Sequence, residues 1–327
     1  MVLNLSQPFL RDFLKIIQKD FPLDSRPFLK IAQKLKITEE EVLRLLEELT
    51  KQKYLRQISA IFNPSFFGHS SALFAFKVLE KNLLKAIEII NAHPGITHNY
   101  LRNHPYNLWF TLVVLPGQKI LEVASKLFLL SEAEDFLYLP VIKTFKISTV
   151  LEVETENFEI KEDLTEGVSN FTFTEEDIKL VKVLQEPLPL VKTPFASLSQ
   201  ACGLSEKKIF SWLKGMDQLK ALRRFGALLN HKYLGYTKNI MVLWEVPEEK
   251  TYEIGKKLSQ ENFITHCYER KTYPHWKYNL YTMCHFKTEE EKKIISVLAK
   301  KFKIENYLML ETLKEFKKER LKLFYET

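Results

Sequence analysis

Thr97-His98-Asn99-Tyr100-Leu101-Arg102 returns as Thr265-His266-Cys267-Tyr268-Glu269-Arg270, at an offset of 168 residues. On one side of it, Arg56-Gln57-Ile58-Ser59-Ala60-Ile61-Phe62 with Gly68 returns as Arg223-Arg224-Phe225-Gly226-Ala227-Leu228-Leu229 with Gly235, at an offset of 167. On the other side, Tyr106-Asn107-Leu108 returns as Tyr278-Asn279-Leu280 at 172, so the second copy carries four extra residues around Tyr273-Pro274-His275-Trp276. A period this long marks a duplicated domain pair, because stacked solenoid repeats recur every ~20 to 50 residues.

Each copy opens with a helix-turn-helix pattern. In the first, the apolar run Phe28 to Leu35 breaks at Lys36-Ile37, and Thr38 with Glu41 three residues on forms a capping-box signature. Val42, Leu45, Leu46 and Leu49 follow at helical spacing. In the second, Phe195 to Cys202 is followed by Gly203, the cap Ser205, and Ile209, Trp212, Leu213 and Met216. The remainder of each copy alternates strand and helix. Strands are expected near 70–79, 95–102, 107–115 and 136–147, with helices near 81–92 and 117–131. The second copy repeats them as strands near 236–246, 263–270, 278–286 and 305–317, with helices near 249–261 and 288–302.

This is the β-α-β-β-α-β order of a ferredoxin-like unit. The expected fold is α+β: a tandem duplication of a winged helix-turn-helix-like domain (1–56, 173–222) plus a ferredoxin-like domain (57–151, 223–327). The two sheets should pack as a pseudo-dimer within one chain, with further self-association left open. Residues 152–172 carry Glu152, Glu154, Glu156, Glu159, Glu162, Asp163 and Glu166 against Lys161 and read as an acidic linker.

At 327 residues with 46% hydrophobic content, the chain can bury several cores. No apolar run approaches the ~18 residues of a membrane span and no leader pattern opens it, so no membrane partner and a cytoplasmic location are expected. Cys202, Cys267 and Cys284 are too scattered for a disulfide framework or a zinc site, and no metal is expected. Nine glycines and the lack of phosphate-binding motifs argue against nucleotide chemistry. The net charge of +7 favours an anionic partner, nucleic acid or a small polycarboxylate.

Side chains two apart on a strand share a face, so His98, Tyr100 and Arg102 align, as do His266, Tyr268 and Arg270. Two such rows on the open faces of two sheets would wall a pocket. The copies are not equivalent: His231 stands where the first has Pro64, and the insertion adds His275 and Trp276. His104, before Pro105, is a further candidate.

A helix-turn-helix followed by this domain resembles the Lrp/AsnC family of transcription regulators, whose second domain binds small effectors. The longer motifs are more specific. Arg223 to Ala227 with His231 and Gly235-Tyr236, then Thr265 to Arg270 and Tyr273 to Leu280, resemble one subunit of the sirohaem decarboxylases. Thr97 to Phe110 resembles the other, so the chain looks like a fused two-subunit form of the type serving haem d1 biosynthesis.

The resemblance implies a carboxy-lyase that removes two acetate carboxylates from sirohaem without oxidation, giving didecarboxysirohaem. It implies no cofactor of its own, the iron tetrapyrrole being substrate. It further implies His231, His266 and His98 as catalytic residues, with Arg102, Arg223, Arg224, Arg270, Tyr100, Tyr268, His104, His275 and Trp276 binding the substrate. The alternative is an Lrp/AsnC-type DNA-binding regulator. Glu39-Glu40-Glu41 at the start of the first recognition helix speaks against it, and no specific nucleic acid is expected.

Overall fold

A computed structural model of the chain describes residues 8–147, 172–229 and 238–326. The first copy runs α1 (Pro8–Lys19), α2 (Pro27–Leu35), α3 (Glu39–Lys51), β1 (Leu55–Phe62), β2 (Ser70–Lys77), α4 (Leu83–Ala92), β3 (Ile96–Arg102), β4 (Leu108–Val114), α5 (Ile120–Ser131), β5 (Asp135–Leu139) and β6 (Val141–Ile147). The second runs α6 (Glu175–Leu184), α7 (Pro194–Cys202), α8 (Glu206–Gln218), β7 (Leu222–Leu229), β8 (Lys238–Trp244), α9 (Glu248–Ser259), β9 (Ile264–Arg270), β10 (Leu280–Phe286), α10 (Lys293–Phe302) and β11 (Tyr307–Lys318). Both copies contribute to each of two units. One gathers α1 to α3 and β1 with α6 to α8 and β7; the other gathers the remaining strands and helices. β1 and β7, which the sequence boundaries at 57 and 223 put with the ferredoxin-like domains, thus sit with the helices. His231 and residues 152–171 of the acidic segment lie outside the described residues.

In the helical unit, Pro27 and Pro194 open α2 and α7, where the first turn needs no N–H. Lys36 (φ 57°) and Gly203 (φ 72°) end these helices in the left-handed region. Thr38 and Ser205 then cap α3 and α8, Thr38 with the reciprocal Glu41 bond of a capping box. β1 and β7 pair antiparallel with Ser59 opposite Gly226. Those residues are each other's repeat equivalents, so an approximate two-fold axis passes between them. Gly226 lets the end of α1 lie directly on β7, since a Cβ there would stand 2.7 Å from the Ile17 carbonyl.

The other unit is a nine-stranded antiparallel array in the order β5-β2-β4-β3-β11-β8-β10-β9-β6. Its centre reveals what the sequence reading did not anticipate, an exchange of terminal strands between the copies. β6 pairs with β9, Thr144 opposite Tyr268, while the end of β11 pairs with β3, Glu315 opposite Tyr100. The single strand expected at 136–147 is two strands broken at Pro140, which has no N–H for a ladder. β11 has no such break and runs on from β8 to β3.

Exchange is held by what the crossing strands bury. Phe145 of β6 lies in the second-copy core with Val242, Ile254 and Leu258, and Phe316 of β11 packs on the first-copy core around Phe74, Ile90 and Phe110. Burying one such ring stabilises by about 1.5–3 kcal/mol. Gly255 of α9 makes the seat for Phe145: a Cβ there would stand 2.6 Å from its ring. Gly255→Val is expected to cost about 1–3 kcal/mol through overpacking, read as a lower urea midpoint at unchanged m-value.

A third cluster joins Ala75, Trp109, Leu137 and Leu139 of the first copy to Met241, Leu243, Trp276, Tyr281 and Leu310 of the second. The open sheet faces therefore pack on each other as well as sharing strands. Among the described residues no helix is long and apolar enough to cross a membrane.

Candidate active site on the facing sheets

Both histidine rows begin at a β-bulge. In the pairing of β3 with β4, Ile96 faces Leu112 and His98 faces Thr111, leaving Thr97 as the extra residue. In the pairing of β9 with β10, Ile264 faces Cys284 and His266 faces Met283, leaving Thr265 extra. A bulge re-aims neighbouring side chains that would otherwise point to opposite faces. Each Thr hydroxyl consequently reaches the ring of the His that follows it: Thr97 Oγ1 to His98 Nδ1 is 2.8 Å and Thr265 Oγ1 to His266 Nδ1 is 2.9 Å. Nδ1 of each ring is thus held by the threonine that precedes it.

The rest of each row follows the two-residue period. His98 and Tyr100 ring centroids are 6.1 Å apart, and the Arg102 guanidinium lies 5.4 Å from the Tyr100 ring. His266 and Tyr268 are 6.0 Å apart, with Arg270 5.0 Å from Tyr268 and 5.5 Å from Tyr281. Tyr100 stands opposite Trp109 and Tyr268 opposite Tyr281, so both rows lie on the face that carries the cluster between the sheets. The histidines and tyrosines are half-buried.

The arginines that end the rows are not placed as open carboxylate forks. Arg102 is 4% and Arg270 8% exposed. Arg102 Nη1 donates to the Leu310 carbonyl of β11 at 2.7 Å, and Arg270 Nη1 to the Leu139 carbonyl at 2.5 Å. Each guanidinium thus ties its strand to a strand of the other copy. Burial pulls Arg102 down to about 10, which leaves it cationic at neutral pH, and burial lowers Arg270 as well.

Trp276 likewise belongs to the joint. It is 4% exposed, donates Nε1–H to Tyr281 Oη at 2.7 Å, and packs on His104, Tyr106 and Trp109 of the first copy. His104 accepts the Tyr106 N–H on Nδ1 at 3.1 Å, and burial lowers its pKa. The insertion therefore fills the seam between the sheets. His275, next to the exposed Pro274, is exposed and stacked on Tyr273 over a shallow groove lined by Leu121, Phe136 and Lys271.

Arg223 and Arg224 belong to the helical unit. Arg224 Nη1 donates to the Gln18 and Ala227 carbonyls at 2.6 and 3.1 Å, and burial lowers it to about 10; Arg223 approaches Asn63 Oδ1 at 3.5 Å. All three cysteines are buried, and burial pushes the Cys284 thiol up to about 12. No group of three or more potential metal ligands occurs among the described residues.

One residue that sequence reasoning missed joins the second row. His285 Nε2 lies 2.9 Å from Thr265 Oγ1, so His266, Thr265 and His285 form one hydrogen-bonded chain. Continuing the 172 offset past Leu280 sets His285 against Val113, a difference open to view in the repeat itself. The surroundings differ too. Beside the first row stand Glu315 and Lys318, 3.8 Å apart, whereas beside the second stand Thr144 and Ile147.

Duplicated helix-turn-helix units with duplicated ferredoxin-like domains, and histidine rows on the face between the sheets, define a tandem protein of the Lrp/AsnC-like class. The family model described as an AsnC-like ligand binding domain matches residues 66–146 and 233–317, and the siroheme decarboxylase NirDL-like HTH domain matches 11–56 and 177–223. The siroheme decarboxylase of Hydrogenobacter thermophilus (strain DSM 6534 / IAM 12695 / TK-6) is 37% identical over 96% of this chain and 94% of its own. The crystal structure of the siroheme decarboxylase NirDL superposes with a TM-score of 0.79 at 33% identity, covering 98% of this chain and 95% of that one. The same enzyme in co-complex with an iron-uroporphyrin III analogue gives 0.79 at 32% identity, covering 97% and 95%. The chain belongs to the sirohaem decarboxylase family, in its fused form.

Proposed function

We propose that the protein is a carboxy-lyase that removes the two acetate carboxylates of sirohaem as CO2, with the second row as its principal reactive wall. The carrying observation is His266, its Nδ1 held by Thr265 on a bulge of β9 and its ring on the face between the sheets. Breaking the bond between an acetate methylene and its carboxylate leaves an electron pair on the exocyclic carbon. That carbon must take one proton to become a methyl group, and an oriented imidazole is suited to deliver it. The iron tetrapyrrole is substrate, and the step requires no redox partner.

Arg102 and Arg270 act in this reading through their charge. Neither makes an ion pair among the described residues, so each lends positive potential to the face where carboxylates would arrive, while its fork serves the strand joint. Glu315 beside Tyr100 opposes that field in the first row, and no carboxylate stands opposite Tyr268. His98 is the first-copy counterpart, and Tyr100 and Tyr268 supply aromatic surface. Arg223, Arg224, His275 and His231 stay in the proposal on the motif resemblance. Anaerobic incubation with sirohaem should give, by mass spectrometry, a tetrapyrrole lighter first by one and then by two CO2. Unchanged sirohaem would overturn the assignment.

A DNA-binding role finds little support in the helical unit. Glu39 is buried against Arg26, Glu40 pairs with Lys192 at 2.6 Å, and Glu41 takes the Thr38 amide at 2.8 Å. A recognition helix opening on three carboxylates repels phosphates where base-reading side chains should enter. Selection from random duplexes at physiological salt is expected to return no motif; a recovered palindrome would restore the regulator reading.

A further inference from the structure

The two rows differ in what stands behind the histidine. In the first copy Thr97 Oγ1 reaches the His98 ring, Val113 occupies the place of His285, and the C-terminal tail lies over this region. Glu319 N–H donates to the Thr97 carbonyl at 2.7 Å, and Tyr325 Oη donates to the Val113 carbonyl at 2.7 Å. In the second copy Thr265 Oγ1 is 2.9 Å from both His266 Nδ1 and His285 Nε2, and only a long 3.5 Å contact to the Met283 carbonyl competes. A hydroxyl has one proton and two lone pairs, so it can donate to one ring while accepting from the other.

We propose that His285 is a positioning residue that holds the reserve proton for His266 through Thr265, and that this relay makes the second row the one that turns over. The inference rests on the decarboxylase reading and adds to it where the proton comes from. At rest, His285 carries both ring protons, donating Nε2–H to Thr265 Oγ1, whose hydroxyl donates to His266 Nδ1. His266 is thereby fixed as the Nε2–H tautomer. When CO2 leaves, the Nε2 proton of His266 goes to the exocyclic carbon. The Thr265 hydroxyl proton moves to His266 Nδ1, and the Nε2 proton of His285 replaces it on Thr265. The carbanion charge and the His285 cation cancel, and no charge is left beside the product. After product leaves, water protonates His266 Nε2 and the two inner protons shift back, restoring the cation at His285. One solvent proton is consumed per CO2, and two turns need two recharges.

His285 is half-buried on β10, so solvent can reach the far end of the relay while substrate covers His266. Its backbone N–H is held by the Phe263 carbonyl at 2.9 Å, which fixes the strand position from which the ring reaches Thr265.

The test uses the full chain, anaerobically, with sirohaem. His285→Val, which copies the first-half residue, is expected to lower kcat by roughly ten-fold or more with little change in KM, within the range of general acid–base effects. Thr265→Ser should keep near-normal turnover, Thr265→Val should match His285→Val, and the double variant should be no worse than either single one. Iron-uroporphyrin binding, read by absorbance, checks that each variant is folded.

Independently of turnover, 15N-imidazole spectra should show His266 as the Nε2–H tautomer in the wild type and a loss of that preference in Thr265→Val. An inactive wild type would sink the decarboxylase reading itself. An active wild type with an equally active His285→Val, or a His266 ring protonated on Nδ1, would overturn the relay alone.

Discussion

His266→Ala is expected to lose about 10²- to 10⁴-fold in kcat while still binding iron uroporphyrin with near-normal affinity. Proton delivery to the exocyclic carbon occurs only in the transition state, whereas ground-state affinity draws on the electropositive face and the tyrosines around it. The two quantities should therefore separate in one variant. His98→Ala provides the internal comparison. Its ring is held by Thr97 in the same way but has no third member behind it and faces a strand carrying Glu315. A smaller loss than in His266→Ala is expected. Equal and complete losses would mean that both rows react. Near-normal turnover in His266→Ala would place the chemistry elsewhere, with His231 as the residue to examine next.

Arg270→Ala is expected to destabilise the ferredoxin-like unit by about 2–5 kcal/mol, since it empties a buried volume and leaves the Leu139 carbonyl without its donor. For a unit of this size that corresponds to a fall in Tm of roughly 5–15 °C. Arg102→Ala should behave alike, because Arg102 donates in the same way to the Leu310 carbonyl of β11, a strand of the other copy. Arg270→Lys separates this role from substrate clamping. It keeps the charge but loses the planar fork, so it should lower Tm while leaving iron-uroporphyrin affinity largely intact. Unchanged Tm with weakened binding would return the fork to the substrate.

Much of this protein was legible along the chain. Repetition at a fixed offset announces two copies of one plan, and periodicity names their elements, because amphipathic spacing and capping are local properties. The capping box at Thr38 and the αL turn at Gly203 are of this kind. So is the alignment of His98, Tyr100 and Arg102, which needs only the two-residue period of a strand.

What lay beyond the chain's local pattern depends on partners far away in sequence. The sequence shows an Arg at the end of each row, but only the exchange of β6 and β11 decides that its fork meets a backbone carbonyl of the other copy. Trp276 reads as a free aromatic in an insertion, yet it is buried because the facing sheet supplies His104, Tyr106 and Trp109. His285 looks like one more histidine on an alternating strand. It gains its meaning from a bulge on the neighbouring strand that swings Thr265 between two rings. Composition and spacing specify which groups a strand presents on each face; register, bulges and strand exchange decide which of them meet, since these are settled by the packing of whole cores.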